Sequence, residues 1–405
     1  MIKVNGGVCA AKGYKASGVH CGIRKNKLKR DLSLIVSETK ATAAAVYTTN
    51  LVKGAPLKVT KANIADGFAQ AVICNSGNAN TCNANGIEIA EQMCDLVQQH
   101  TGIKGNDVIV ASTGVIGQPL DITPIASGME SLVQGLSDDG SITAAEGIMT
   151  TDTVVKEIAF EFEVDGKKCR IGGIAKGSGM IHPNMATMLV FVTSDAAITK
   201  DALQYAVSED VKDSFNMVSV DGDTSTNDMC CVMANGMAGN KVIDDINSAE
   251  FKEFQKALFA VTSYLCKMIA KDGEGASKLL EVKVSGAADV ATAKIVAKSV
   301  ACSSLLKAAM FGSDANWGRV LCAIGYSGAE VDVEKIDVSF VSKAGEIAVC
   351  ENGAGVDFSE EKAKEILTES EIGIAVALND GDCSATAWGC DLTYDYVKIN
   401  GDYRT

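Results

Sequence analysis

The chain has 405 residues, of which 47% are hydrophobic and 22% are charged, and its formal net charge is −14. Its length predicts two or three domains, and its composition is that of a globular protein, which argues against disorder. The acidic balance argues against a nucleic-acid partner, and no apolar run approaches the roughly 20 residues that cross a bilayer.

The N-terminus and the cysteines bear on the cellular compartment. Residues 1–18 lack the uninterrupted apolar core of a secretory signal. The fourteen cysteines contain no Cys-x-x-Cys spacing and stand mostly in apolar contexts, a pattern typical of buried thiols in a reducing compartment. The three histidines form no ligand pair, so no metal site is expected. We therefore predict a cytoplasmic protein that does not contact a membrane.

One local exception to the acidic balance is the basic run at residues 24–30, which contains Arg24, Lys25, Lys27, Lys29 and Arg30. We interpret it as a solvated loop. The alternative is contact with an anionic ligand, such as a nucleotide-bearing acyl donor.

Short β-like runs and turns alternate in the first third of the chain. Strands are predicted at 31–36, 43–47, 69–74 and 108–111, and apolar spacing predicts a helix at 86–99. The stretch 75–80 between strand and helix is rich in turn residues. The order strand, polar loop, helix indicates an α/β layer arrangement.

The remaining elements follow the same rules. Two strands at 156–164 and 168–175 flank Asp165-Gly166, a dipeptide typical of a hairpin turn. Further elements are predicted as a strand at 188–192, helices at 200–215 and 250–271, a strand at 281–285, a helix at 289–311, and strands near 331–341, 346–350 and 372–378. The predicted domains are residues 1–195, 196–280 and 281–405.

Thr187 stands at the head of the apolar run 188–192, directly after a Gly-rich, polar approach. A threonine hydroxyl is a poor nucleophile unless a base lies beside it, and the α-amine of the same residue would be such a base if the Ala186–Thr187 bond were cut. On the residues alone, an ordinary strand threonine remains the alternative.

Two other stretches carry candidate chemistry. The strand at 108–111 runs into Ser112-Thr113-Gly114, which could present backbone N–H groups and a hydroxyl to an oxyanion or could be a plain turn. The acidic run 219–228 could bind a hard cation, but it lacks the spacing of a calcium loop, so loop packing near the site is the favoured interpretation.

Seven motifs, in order along the chain, resemble the ornithine acetyltransferase family, the glutamate N-acetyltransferases of arginine biosynthesis. They are AVICNSGNAN (71–80), STGVIG (112–117), MTTDT (149–153), KGSGMIHPNMATML (176–189), SVDGDTSTND (219–228), FGSDANWGR (311–319) and INGDYRT (399–405). In this family the chain cuts itself before the Thr of Ala-Thr-Met-Leu. The resemblance implies a layered α-β-β-α-type sandwich core joined to a smaller α/β C-terminal domain.

The resemblance also implies the site residues. It makes Thr187 the nucleophile, Ala186 and Thr187 the cleavage site, and Thr113 and Gly114 the oxyanion hole. The residues that it implies as substrate contacts are Thr153 (favoured over Thr151), Lys176, Thr187, Glu274, Asn400 and Thr405. A lone lysine is usually solvated and a lone glutamate usually caps or faces solvent, so these two roles depend on the family motif.

The implied reaction is a ping-pong transfer of the acetyl group from N-acetylornithine to glutamate through an acetyl-threonine. It needs no metal or organic cofactor, and acetyl-CoA as an additional donor is left open. The expected partners are these small molecules and the two chains 1–186 and 187–405, paired as an α2β2 assembly. The alternatives are an N-terminal-nucleophile amidohydrolase or aminopeptidase, and an uncleaved binding or assembly protein.

Overall fold

The structure, a computed structural model, describes residues 1–182 and 188–402. Within these ranges the strands are β1 (Ile2–Val4), β2 (Tyr14–Val19), β3 (Leu32–Tyr47), β4 (Phe68–Asn78), β5 (Val108–Val115), β6 (Lys156–Val164), β7 (Lys167–Lys176), β8 (Leu189–Ser194), β9 (Met229–Ala234), β10 (Leu279–Ala287), β11 (Asp337–Ser342), β12 (Gly345–Glu351), β13 (Ala354–Gly355), β14 (Glu371–Ala377) and β15 (Cys383–Cys390). The helices are α1 (Ala55–Asn63), α2 (Gly86–Thr101), α3 (Ile122–Gln134), α4 (Ser141–Ile148), α5 (Lys200–Asp213), α6 (Ala249–Lys271), α7 (Val290–Cys302), α8 (Ser304–Phe311), α9 (Trp317–Gly325), α10 (Glu360–Leu367) and α11 (Tyr394–Asp402). Among these helices, none combines the length and apolarity that a membrane span requires.

The larger sheet has the strand order β1-β6-β7-β8-β9-β3-β4-β5, and β2 also pairs with β3. The long strand β3 makes two sets of pairs on one edge. Its first half pairs with β2, and its second half pairs with β9. On its other edge β3 pairs with β4, with an irregularity between Val36 and Ala41. The sheet therefore divides into two layers that are joined through β3.

Alternate residues of the strands face opposite sides of each layer. Residues from both layers meet in a shared inner cluster, which includes Ile109 and Ala111 of β5 and Leu189 and Phe191 of β8. Their neighbours Val108 and Val110 pack in an outer cluster with α2 and α3, whereas Val190 and Val192 pack in the opposite outer cluster with α5 and α6. The layer order is thus helix, sheet, sheet, helix, and the predicted layered α/β fold is confirmed.

A second sheet has the order β13-β12-β11-β14-β10-β15. Its strands β10 and β14 are parallel, and α7 packs against β10 and β15. Buried residues of this sheet, including Val282 and Ile374, belong to the same cluster as the outer face of β8. The predicted domain limits at 195 and 280 stay predictions.

Most local predictions are confirmed, because they depended on near-neighbour patterns. The hairpin forms between β6 and β7, and Asp165 and Gly166 both have positive φ (51° and 69°), as its two-residue turn requires. The apolar run after Thr187 forms β8, which is buried along its whole length. The two helices predicted at 200–215 and 250–271 are α5 and α6.

Three predictions were wrong in their extents. The strands predicted at 31–36 and 43–47 are one strand, β3, because β4 and β9 supply partners along its length. The helix predicted at 289–311 is broken at Ser303, whose side chain accepts a hydrogen bond from the Leu306 N–H and begins α8. The strand predicted at 331–341 begins only at Asp337, after a 3₁₀ turn over Val333–Lys335.

A buried carboxyl group lies between α5 and α6. Asp210 Oδ2 accepts a hydrogen bond from the Ser214 hydroxyl at 2.9 Å, while Oδ1 has no partner among the described residues. Burial raises the pKa of Asp210 to about 7, although the nearby hydroxyl groups of Thr262 and Ser214 act to lower it. The folded protein therefore holds a proton that the unfolded chain releases at about pH 4.

This carboxyl group predicts a pH dependence of stability. The folded state binds this extra proton between about pH 4 and about pH 7. The contribution of Asp210 to the free energy of unfolding therefore falls as pH rises through this range, and then stays level. Asp210→Asn should remove that slope and be at least as stable as the wild type at pH 8, measured by urea denaturation across this range. Asp201→Asn, at an exposed position of the same helix, is the control and should keep the slope. Equal slopes in all three proteins would contradict the assignment.

Candidate active site

Five of the predicted site residues line one cavity of about 310 Å³: Thr113, Gly114, Lys176, Glu274 and Asn400. They come from the end of β5, the end of β7, the loop after α6, and α11. The fold thus brings together residues that lie almost 300 positions apart. Ala186, Thr187 and Thr405 lie outside the described residues.

The turn at Thr113 and Gly114 is held against β4. Ser76 pairs with Thr113, and Gly77 pairs with Gly114. Gly114 has φ 131°, and a Cβ at this position would overlap the Gly77 backbone. Only glycine fits this close approach of two backbones, so the turn has a fixed shape beside the cavity.

Asn227 ties this turn to the acidic run 219–228. Its amide donates to the carbonyl oxygens of Ala79 at 2.5 Å and Ser112 at 2.9 Å, and its Oδ1 accepts from the hydroxyls of Thr81 and Thr226. Asn227 itself lines the cavity, together with Ser225 and Thr226. The sequence analysis missed this role, and its one available signal was the run of small polar residues.

The acidic run also fixes the loop that follows β7. Asp221 accepts hydrogen bonds from the backbone N–H groups of Met180 at 2.6 Å and Ile181 at 2.8 Å. This agrees with the predicted role in loop packing. Across residues 1–182 and 188–402, no group of three or more His, Cys, Asp or Glu side chains is placed to hold a metal ion.

Lys176 ends β7 and is almost fully buried at the cavity wall. Burial lowers its pKa, the Asp152 carboxylate opposes this, and the positive charges of Lys156 and Arg24 lower it further. A cationic side chain in such a site strongly favours an anionic ligand beside it. The cavity is therefore suited to a substrate carboxylate.

Lys156 joins two buried carboxylates beneath the cavity. Its ammonium group lies 2.7 Å from Asp152 Oδ1 and 2.5 Å from Asp272 Oδ2, and its side chain is fully buried. Asp152 also accepts from the backbone N–H groups of Thr150 and Gly177. Burial alone would raise the pKa of Asp152, but the charges of Lys176 and Lys156 hold it well below its usual range.

The predicted preference for Thr153 over Thr151 is not supported by these positions. Thr150 and Thr151 line the cavity. Thr153 lies outside that lining, because its hydroxyl and its backbone N–H both donate to the Asp272 carboxylate. The Thr153 side chain, held by the buried Asp272 carboxylate, positions the segment, whereas Thr150 and Thr151 face the cavity.

Glu274 and Asn400 meet on the opposite wall. The Asn400 amide donates to Glu274 Oε2 at 2.8 Å, and the Glu274 N–H donates to the Ser178 carbonyl at 2.9 Å. Gly179 packs directly against the Glu274 carboxylate, with no room for a Cβ between them. The carboxylate is thereby held in the cavity, where it can accept a cationic group.

Fold and cavity together describe an α/β enzyme with a polar active site. A sequence model of the ArgJ family matches residues 15–405. The chain is 53% identical over 393 residues to the arginine biosynthesis bifunctional protein ArgJ 1 of Clostridium acetobutylicum, covering 97% of this chain and 96% of the relative. It is 47% identical over 407 residues to the corresponding protein of Bacillus subtilis, covering 100% and 98%.

A solved structure agrees with these matches. The crystal structure of the arginine biosynthesis bifunctional protein ArgJ from Bacillus halodurans is 48% identical, with a TM-score of 0.50, and the match covers 53% of this chain and 98% of that chain. The chain belongs to the ArgJ family. The family predicted from the motifs is confirmed, and so is the prediction that the chain is an enzyme of arginine biosynthesis.

The buried ion pairs predict a strong effect of removing Lys156. Lys156→Met leaves the carboxylates of Asp152 and Asp272 without their shared cation, and such a loss costs about 3–5 kcal/mol of stability. Urea denaturation at pH 7 measures it. The control is Lys168→Met, which removes an exposed lysine paired with Glu161 and should cost less than about 1 kcal/mol. Similar losses in both variants would show that the buried pairs do not stabilise this region.

Proposed function

We propose that the enzyme transfers the acetyl group of N-acetylornithine to glutamate through an acetyl ester on Thr187. The observation that carries this proposal is the cavity itself, where the turn at Thr113 and Gly114, the buried Lys176 and the Glu274 carboxylate converge. Family membership supports the same assignment. The reaction would take place in the cytoplasm, without a metal or organic cofactor.

The first stage would be self-cleavage. Thr187 Oγ attacks the Ala186 carbonyl carbon, the acyl group shifts from nitrogen to oxygen, and water hydrolyses the resulting ester. This step would release the chains 1–186 and 187–405, which we propose remain together in an α2β2 assembly. Cleavage frees the α-amine of Thr187, so that the nucleophile gains a base on the same residue.

The second stage would be acetyl transfer. The α-amine takes the Oγ proton as Thr187 attacks the acetyl carbonyl, and Thr113 and Gly114 donate hydrogen bonds to the oxyanion. The C–N bond breaks, and the ornithine amine leaves with that proton. Glutamate then enters, its amine attacks the ester, and N-acetylglutamate leaves while Thr187 regains its proton.

Charge would orient both amino acids in the cavity. Lys176 would bind the α-carboxylate that ornithine and glutamate share. Glu274, held by Asn400, would accept the side-chain ammonium group of ornithine. Thr150 or Thr151 would take the contact first assigned to Thr153, because both line the cavity. We propose Thr405 as a further contact from the C-terminus, and acetyl-CoA as a second donor.

Intact mass and activity together test this proposal. The wild type should split at the Ala186–Thr187 bond and release ornithine from N-acetylornithine only when glutamate is present. Thr187→Ala should stay a single chain of 42.1 kDa and be inactive. Thr187→Ser keeps a hydroxyl nucleophile and should still cleave. An intact, inactive wild type would overturn the mechanism, and ornithine release that needs only water would identify a hydrolase instead.

The oxyanion turn supplies a second prediction. Gly114→Ala introduces a Cβ that overlaps the Gly77 backbone, so the turn must move, and kcat should fall by about 10²–10³-fold. Gly117→Ala is the matched control, because Gly117 also has positive φ but its Cβ would meet open space. Gly117→Ala should keep kcat within about threefold of the wild-type value, because the backbone strain at residue 117 does not displace the turn at Thr113 and Gly114. Equal kcat values in both variants would remove the turn from the mechanism.

A further inference from the structure

The acidic run 219–228 holds the chain a few residues before the proposed cleavage site. The Asp221 carboxylate accepts hydrogen bonds from the backbone N–H groups of Met180 and Ile181, one on each oxygen. The Val220 N–H donates to the Ile181 carbonyl at 2.7 Å. These hydrogen bonds join two short stretches of backbone that are distant in sequence.

The same run also binds His182, the last described residue before that site. The Thr224 hydroxyl donates to the His182 carbonyl at 2.9 Å, and His182 Nδ1 lies 3.1 Å from the Ser219 hydroxyl oxygen. Thr224 also forms a β-bridge with Ile181. Each residue from 180 to 182 is therefore hydrogen-bonded to the acidic run.

The acidic run continues into β9, which holds the chain on the other side of the proposed cleavage site. The Met229 N–H donates to the Met188 carbonyl at 2.8 Å, and Leu189 pairs with Met229 in the parallel register of β8 and β9. Five residues, 183–187, separate the two held positions in sequence. A peptide bond between two fixed points samples fewer conformations than one in a free loop, so less entropy is lost when nucleophile and carbonyl carbon meet.

Met180 adopts a backbone conformation that favours glycine. Its φ is 56°, in the left-handed region where a Cβ is unfavourable. Such a conformation persists only where neighbouring contacts impose it, and Met180 makes such a contact through its N–H group, which donates to Asp221. Without that carboxylate the backbone at Met180 would relax, and the direction in which the chain approaches the cleavage site would change.

We propose that Asp221 is a positioning residue for self-cleavage at the Ala186–Thr187 bond. It fixes the backbone of Met180 and Ile181, which leads to that bond. This inference rests on the proposed function, because it concerns the same cleavage step. Among the described residues, Asp221 is not part of the active-site cavity lining, and acetyl transfer needs only groups that are present after the cut. Loss of the Asp221 carboxylate should therefore slow cleavage far more than it slows acetyl transfer.

The test measures self-cleavage and acetyl transfer separately in the same variants. Intact mass against time gives the cleavage rate, and glutamate-dependent release of ornithine from N-acetylornithine gives kcat per cut chain. Asp221→Asn replaces one acceptor oxygen with an amide group that cannot accept, so cleavage should slow by about tenfold or more while kcat per cut chain stays within about threefold. Thr224→Val removes the hydroxyl that holds His182 and should slow cleavage by about threefold or more. Equal losses of cleavage rate and kcat would overturn the proposal.

Two control variants separate the backbone contacts of Asp221 from its charge and its other partner. Asp223→Asn makes the same charge change at an exposed neighbour. Tyr396→Phe removes the hydroxyl that donates to Asp221 Oδ2 at 3.2 Å and leaves both backbone hydrogen bonds in place. Both variants should cleave within about twofold of the wild-type rate. A loss in either that matches the loss in Asp221→Asn would overturn the role assigned to the backbone contacts.

The positive φ of Met180 supplies a rescue experiment. Glycine adopts this conformation without the penalty of a Cβ, so Met180→Gly added to Asp221→Asn should raise the cleavage rate by about threefold or more. Met180→Ala in the same background is the matched control, because it shortens the side chain but keeps the Cβ, and it should give no rescue. Rescue by both substitutions, or by neither, would overturn the positioning role.

The wild type distinguishes failure of this inference from failure of the proposed function. A wild type that stays uncut would refute the proposed function itself, and with it the cleavage role of Asp221. A wild type that cuts itself no faster than Asp221→Asn would overturn this inference alone.

Discussion

The active site depends on a buried ion-pair arrangement centred on Asp272. Its carboxylate accepts hydrogen bonds from Thr153 and Lys156, and its carbonyl oxygen accepts one from Ser178. Lys156 extends the arrangement to Asp152. Buried charges are tolerated only when they are paired, so a shift of any one segment would leave a charge without its partner. The three segments that bring Thr151, Lys176 and Glu274 to the cavity are thereby held in one geometry before substrate arrives.

The fold could be predicted where neighbouring residues determine it, and not where distant partners do. Periodicity predicts α2 and α6, and Asp165-Gly166 predicts its hairpin, because each signal is local. The polar residues 37–40 interrupt the apolar pattern of β3, yet the strand continues. Its second half pairs with β9, nearly 190 residues later, and this tertiary pairing overrides the local composition.

The candidate site, like the fold, could be predicted only where local sequence determines it. The family motifs predicted that Thr113, Lys176 and Glu274 would be site residues, and the fold brings them to one cavity. The motif around residues 149–153 could not show which threonine faces that cavity. The answer depends on Asp272, a carboxylate 119 residues away that engages the hydroxyl of Thr153. A contact at that separation leaves no trace in the spacing of the motif itself.

Substrate binding and the protonation of Lys176 are coupled by the same electrostatics. Burial and the positive charges of Lys156 and Arg24 lower the pKa of this lysine, because they disfavour its charged form. A bound carboxylate acts in the opposite direction and raises that pKa, because it stabilises the charged form. The lysine therefore becomes more firmly charged as substrate binds.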